Sequence, residues 1–456
     1  MTKENIENKR VSILGMARSG MALAFMLNNL GARVFVSESA ENETVSKNKF
    51  LLDEQGIPNE IGGHSEKILQ SDFIAISPGV PVDIDILKVA KNRGIPIFSE
   101  LEVSSWFCNS PIIAITGSNG KTTTTTLIGK ILSDSNIENI VGGNIGIPFA
   151  SFIDKICPDG YAVLEVSSFQ LERIDRFKPK VAVILNFTPD HLDRYATLDD
   201  YRYAKARIYE NLGKGDYLIL NADDRESDKF MPKPEVKLLR FSNRNNDAAD
   251  IFVKGRNLVL KTAKGIEPII PTKEIGIKGP HNVANSAAAV LVGIIAGAEI
   301  TRIADSLRRF KGVEHRLEKV MVIDGITYIN DSKGTNVDAV LMALKSVEGN
   351  VVLIAGGKDK GGDFTKLIPD IKGKVCALVL IGEAADKISM QLSGIVSTYR
   401  AESMDDAVLM AAKLARRGET VLLSPGCASF DMFDNYEHRG KVFKEAVYHL
   451  KSGELV

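Results

Sequence analysis

Reactive side-chain types are most concentrated in the segment Ile112-Ile-Ala-Ile-Thr-Gly-Ser-Asn-Gly-Lys-Thr-Thr-Thr124. An apolar run ends there in a Gly-rich turn whose backbone N–H groups can point inward, and the turn opens a helix whose N-terminus favours negative charge. Lys121 adds a point charge and Thr122 a hydroxyl suited to Mg2+, so Gly117, Ser118, Asn119, Gly120, Lys121, Thr122 and Thr123 read as a phosphate cradle. The general P-loop spacing asks for Gly where Ile115 stands, so the loop is not of the generic form. The plain alternative is a structural turn that contains Gly-Lys-Thr.

Other polar groups fall at the ends of apolar runs. Tyr161 to Ser168 puts Glu165 near the carboxyl end of a strand, where a carboxylate is costly unless it meets a cation such as a bound Mg2+. Val181 to Asn186 leads into Phe187-Thr-Pro-Asp-His-Leu-Asp193, in which His191 reads equally as a ligand or a packing residue. Gly15-Met-Ala-Arg-Ser-Gly20 follows the first strand and resembles a dinucleotide fingerprint with Ala17 in place of the middle Gly. Arg18 and Ser19 there, with Ser77, Pro78 and Gly79 in a facing loop, suit a diphosphate, or form a plain strand-to-helix turn.

Gly279-Pro-His-Asn-Val-Ala-Asn285 opens an Ala-rich helix, where Asn282 and Asn285 read an adenine edge or cap the helix. Four further polar clusters occupy loops of the last third: Glu314 to Arg316, Asn330 to Asn336, Gly356 to Lys360 and Ser424 to Ser429. Each sits at a strand end or helix start, which favours a binding face over solvated loops.

The elements that must position these groups alternate. Val11 to Leu14, Phe73 to Ile76, Ile112 to Ile115, Tyr161 to Val166, Val181 to Leu185, Tyr217 to Leu220, Val351 to Ala355, Ala377 to Ile381 and Val421 to Leu423 are apolar throughout, as strands covered on both faces are. Gly20 to Asn29, Thr122 to Ser133, Asn282 to Ala296 and Asp405 to Ala415 fill gaps as helices. The pattern predicts an α/β protein of about three doubly wound units, matching 456 residues at roughly 150 per domain. The expected divisions are 1–106, 107–312 and 313–456, with Phe241 to Pro271 as a small β excursion of the middle domain.

A net charge of −1 argues against a dedicated nucleic-acid binder. The longest nearly apolar run, Ala287 to Ala298, is far short of the ~20 residues of a membrane span. The polar start MTKENIENKR predicts a cytoplasmic chain. Cys108, Cys157, Cys376 and Cys427 have no zinc spacing and are expected to be reduced and mostly buried.

Taken in order, TGSNGKTT, EVSSFQLE, NFTPDHLDR, YRYAKARIY, GPHN, EHRLE and NDSKGTN resemble the Mur ligase family from end to end. NDSKGTN with LLSPGCASFDMFDNYEHRG is similar to its D-glutamate-adding branch. The resemblance implies three domains: a Rossmann-like first domain holding a UDP-sugar, a central P-loop-type ATPase domain, and a Rossmann-like third domain that binds the amino acid and closes over ATP. It implies a monomeric enzyme, with no nucleic-acid or membrane partner, that joins D-glutamate to UDP-N-acetylmuramoyl-L-alanine through an acyl phosphate, using ATP and Mg2+. By motif, Lys121 and Thr122 hold phosphates and Mg2+, Glu165 shares that metal, and His191 ligates a second. Lys205 falls where the family carries a carbamylated lysine. Asn144 matches a substrate contact, and Asn282, Arg316 and Asp331 match contacts to adenine, γ-phosphate and ribose. Lys333, Thr335, Lys360 and Ser429 would line the D-glutamate pocket, with Tyr436 beside it where the family also carries Phe.

Ser37-Glu-Ser39 lacks a basic residue for the uridine end, and Lys358 competes with Lys360 for one role. The rival readings are an amide ligase of the same fold with another amino acid, and an ATP-gated binding module that performs no ligation.

Overall fold

The computed structural model describes residues 3–188, 195, 197–359 and 361–453. Among them lie three sheets, each built around the continuous apolar runs of the sequence. The first orders its five strands Asn59–Glu60, Arg33–Ser37, Arg10–Leu14, Phe73–Ile76 and Ile97–Ser99, all parallel. Strand order therefore reverses between Arg10–Leu14 and Phe73–Ile76, and a crevice opens beyond their carboxyl ends, where ligands of such sheets bind.

The second sheet runs Asn139–Gly143, Tyr161–Glu165, Ile112–Thr116, Val181–Ile184, Tyr217–Asn221 and Lys237–Phe241 in parallel. Ile112–Thr116 lies between two parallel neighbours and is buried at every position, because helices cover both faces. Ile251–Lys254, Asn257–Thr262 and Gly265–Pro271 extend one edge as an antiparallel meander, the β excursion expected for that stretch.

In the third sheet Glu318–Ile323 pairs antiparallel with Ile326–Asn330, and Thr420–Leu423, Val351–Gly356, Val375–Ile381 and Thr398–Arg400 follow in parallel. Its helices are capped as the sequence dictates. Ser403 caps Met404–Leu414, Asn435 caps Tyr436–Ser452, and Gly453 ends the latter in a left-handed conformation.

By its contacts the chain forms two compact units, 1–274 with 284–308, and 275–283 with 309–456. The first holds the first two sheets and the second holds the third. Among the described residues no helix is long and apolar enough to cross a membrane.

The cysteines correct one expectation. All four are free, but only Cys427 is buried, Cys108 is partly so, and Cys157 and Cys376 are exposed. Cys157 lies between strands, and Cys376 is the outward residue near the start of its strand, so neither has the apolar neighbours that bury a thiol.

Candidate active site

In the first unit, the strand Ile112–Thr116 delivers the chain into the predicted cradle, and the helix Lys121–Asp134 leaves it. Gly117 has φ +150° and Gly120 φ +83°. A Cβ at Gly117 would lie 3.0 Å from Leu185 Cβ, so Gly is required where the loop crosses the neighbouring strand end. Gly120 is the N-cap and brings no side chain to the helix N-terminus, which leaves its first amides available to an anion.

Asn186 and Thr188 staple this loop in place. Asn186 Oδ1 accepts from Asn119 N at 2.8 Å, and Asn186 Nδ2 donates to Asn119 O at 2.9 Å. Ser118 Oγ donates to Thr188 O at 2.9 Å. Lys121 Nζ lies over the loop, donating to Gly117 O at 2.8 Å and Ser118 O at 2.9 Å.

Glu165 ends the adjacent strand almost fully buried, as its place in the apolar run predicted. Its Oε2 accepts from Thr122 Oγ1 at 2.7 Å and its Oε1 from Asn144 Nδ2 at 2.9 Å. Two hard oxygen donors, a hydroxyl and a carboxylate, thus meet at a helix N-terminus beside a phosphate-type loop, a donor set that fits Mg2+ with a nucleotide phosphate. Lys205 sits on the helix Leu198–Ala206 with 1% exposure. Its Nζ donates to Gly117 O at 3.1 Å and lies 4.5 Å from the centre of the Tyr201 ring. His191 lies outside the described residues.

At the crevice of the first sheet a cleft of about 450 Å³ gathers Arg18, Ser19, Ser77, Pro78 and Gly79, together with Glu38, Ser39 and His64. Glu38 accepts from Met16 N and Ala40 N, each at 2.9 Å, so an acid, not a base, stands at the end of the second strand. Arg18 Nη1 donates to Gly146 O at 3.3 Å, beside the loop that carries Asn144.

The second unit brings the remaining predicted residues into two groups. Asp331 is buried, accepting from Leu317 N at 3.2 Å and Ser424 Oγ at 2.8 Å. Burial pushes its carboxyl up to about 6, against the opposing pull of the Arg316 charge. Among the described residues Arg316 Nε is buried with no hydrogen-bond partner. Asn282 Nδ2 donates to Lys278 O at 2.6 Å, tying the start of the helix Pro280–Ile295 to the turn before it.

The other group centres on Lys333, whose Nζ lies 5.1 Å from the centre of the Tyr436 ring. Thr335 follows in the same loop, and Gly426 N donates to Gly334 O at 2.8 Å, which draws the loop ending in Ser429 against it. Lys358 pairs its backbone with Ala428 and leaves its side chain exposed. Lys360 lies outside the described residues.

Family models match three stretches of this chain: the MurD N-terminal domain over residues 10–86, the Mur ligase middle domain over 115–293, and the Mur ligase, glutamate ligase domain over 315–427. Over 451 residues the chain is 43% identical to a UDP-N-acetylmuramoylalanine--D-glutamate ligase of Koribacter versatilis, covering 99% of each protein. This chain belongs to the Mur ligase family. A relative of the same name from Acidobacterium capsulatum is 44% identical, covering 97% of this chain and 96% of that one. Two solved Mur ligases share the fold. UDP-N-acetylmuramate-alanine ligase MurC of Thermotoga maritima has a TM-score of 0.62 at 18% identity, covering 97% of this chain and all of that one. MurF ligase of Thermotoga maritima, solved in complex with ADP, has a TM-score of 0.62 at 15% identity, covering 91% and 95%.

Sequence reasoning passed over three residues that organise this Mur ligase. Asn186 was visible as the first polar residue after an apolar strand. His281 was inside GPHN, and burial with the nearby Arg316 charge pulls it down to about 4, so it is neutral at pH 7. Arg439 was inside the last motif, and nothing in its neighbours in sequence announced that it is fully buried.

Proposed function

We propose that this Mur ligase adds D-glutamate to UDP-N-acetylmuramoyl-L-alanine in cytoplasmic peptidoglycan precursor synthesis, converting ATP to ADP and phosphate. The observation that carries the reading is the near full-length match to relatives of that name. The domains 1–106, 107–312 and 313–456 divide the work among UDP-sugar, ATP and D-glutamate. The enzyme acts as a monomer with these small molecules as its partners.

A carboxylate is a poor electrophile, and ATP activates it. An oxygen of the L-alanine carboxylate attacks the γ-phosphorus, ADP leaves, and an acyl phosphate remains. The neutral amine of D-glutamate then attacks the carbonyl carbon, a proton is lost, and phosphate departs with the electron pair of the C–O bond. Lys121 and the amides of the loop around Gly117 and Gly120 hold the phosphates in line and offset charge as it develops. Thr122 and Glu165 would hold a Mg2+, and His191 and a carbamylated Lys205 would serve a second ion. The chemistry such an ion would supply is neutralisation of charge on the phosphoryl oxygens.

Asn144 orients Glu165 and meets the substrate, while Asn282, Arg316 and Asp331 serve the adenine, γ-phosphate and ribose. Arg18, Ser19, Ser77, Pro78 and Gly79 take the UDP moiety. Lys333, Thr335, Lys360, Ser429 and Tyr436 form the amino-acid pocket, in which charge-assisted donors answer two carboxylates. Mass spectrometry of the product tests the proposal. It predicts UDP-N-acetylmuramoyl-L-alanyl-D-glutamate from D-glutamate, and appearance of the product with another amino acid instead would overturn the acceptor assignment.

A further inference from the structure

Arg439 is 0% exposed, on the first turns of the helix Tyr436–Ser452. A guanidinium has five N–H donors in a rigid plane, and here each has an acceptor. Nε donates to Ser332 Oγ at 3.0 Å, Nη1 to Cys427 O at 3.2 Å and Ala428 O at 3.1 Å, and Nη2 to Ser332 O at 2.8 Å and Cys427 O at 3.2 Å. Among the described residues the acceptors of these bonds are backbone carbonyls and one hydroxyl, and the carboxylates of Asp331 and Asp431 act on the charge without a hydrogen bond to it.

The acceptors lie on two loops that leave neighbouring parallel strands, Ile326–Asn330 and Thr420–Leu423. Beyond the strand ends these carbonyls have lost the ladder, and a buried carbonyl must be paired elsewhere. A third loop closes over the same group, since a Cβ on Gly357 would lie 3.1 Å from Arg439 Nη1. Ser332 Oγ passes the connection on by donating to Tyr436 O at 2.8 Å. Lys333 and Thr335 follow Ser332 directly, and Ser429 follows Ala428.

We propose that Arg439 is a positioning residue for the D-glutamate pocket, clamping the Ser332 loop to the Cys427–Ala428 loop and so setting the spacing of the groups that grip the amino acid. The proposal rests on the assignment of Lys333, Thr335 and Ser429 to that pocket. Lysine cannot replace the clamp, because three rotatable donors cannot serve five directed bonds in one plane.

Steady-state constants of Arg439→Lys, with Thr335→Ala and Ser429→Ala alongside, test the clamp. Hydroxylamine supplied in place of D-glutamate adds the decisive arm: it attacks the acyl phosphate at the carbonyl carbon, releasing phosphate and giving a hydroxamate without using the pocket. Arg439→Lys is expected to raise KM for D-glutamate about tenfold or more, the scale of a lost charged hydrogen bond, with the constants for ATP and UDP-sugar within about twofold. Hydroxamate should form at the wild-type rate. If KM for D-glutamate stays put while Thr335→Ala and Ser429→Ala raise it, the clamp is wrong and the pocket stands. If neither of those variants moves it, the pocket assignment fails and the clamp with it. A parallel loss of hydroxamate formation would mark Arg439 as a general structural residue and overturn the proposal. Should Arg439→Lys not fold, Ser332→Ala, which removes only the Nε acceptor and the link to Tyr436, must show the same split at several-fold size.

Discussion

Lys121 and Lys205 share one acceptor. The carbonyl of Gly117 takes Lys121 Nζ at 2.8 Å and Lys205 Nζ at 3.1 Å, although the two lysines come from different helices. Two side chains that carry ammonium groups in their ordinary state thus converge on one loop carbonyl, beside the Thr122–Glu165 pair. Of the two, Lys121 brings positive charge to a helix N-terminus, which suits a polyphosphate.

In the proposed mechanism Lys121 is the charge aimed at the transferred phosphoryl group. Lys121→Ala is expected to lower kcat by about 100-fold or more, the usual size of a lost electrostatic contact to a transition state, with the circular dichroism spectrum unchanged. Near-normal turnover would remove Lys121 from the chemistry.

Lys205 is buried against Tyr201, and the carbamate of the proposed site would form when its neutral amine attacks CO2 with loss of a proton. Lys205→Ala is expected to be inactive and to regain part of its activity with added short carboxylic acids, which fill the ligand position. Assaying the variant across acetate and formate concentrations checks this, and full activity without added acid would exclude Lys205 from the site.

Glu100 offers a pH test of a different region. Its Oε1 accepts from Gln170 Nε2 at 2.7 Å, its Oε2 is buried without a partner among the described residues, and burial raises its carboxyl from 4.5 to about 7. The folded state therefore holds this proton more tightly than the unfolded chain. Its stabilising effect is complete below about 4.5 and fades as pH rises through about 7. Glu100→Gln, neutral throughout, is expected to match wild type near pH 4.5 and to exceed it by roughly 1–3 kcal/mol at pH 8. Urea denaturation at both pH values reads the difference, and equal offsets at the two would contradict it.

In the proposed amino-acid pocket, Lys360 is the first candidate for the side-chain carboxylate of D-glutamate and Lys358 the second. Lys360→Ala is expected to raise KM for D-glutamate roughly 10 to 100-fold with little change for ATP. If the ATP constant rises instead, Lys360 serves the nucleotide and Lys358 takes its place.

Legibility in the sequence followed the range of the interaction. Ile112–Thr116, Tyr161–Glu165 and Val351–Gly356 were visible because burial on both faces demands unbroken apolar runs, and Glu165 stood out as the one charge in its run. The clamp of Arg439 on Ser332 spans 107 residues, and no local periodicity encodes such a meeting. Lys205 lies in an ordinary polar helix pattern, and only packing against Tyr201 and the cradle buries it. The thiols failed for the same reason, since burial is decided by neighbours and not by residue type.

Phosphate release tests the central claim most directly. With ATP, Mg2+ and UDP-N-acetylmuramoyl-L-alanine present, sustained release is expected on adding D-glutamate, and only background release with L-lysine or meso-diaminopimelate in its place. Equal or greater release with either of the other amino acids, or none with D-glutamate, would contradict the account.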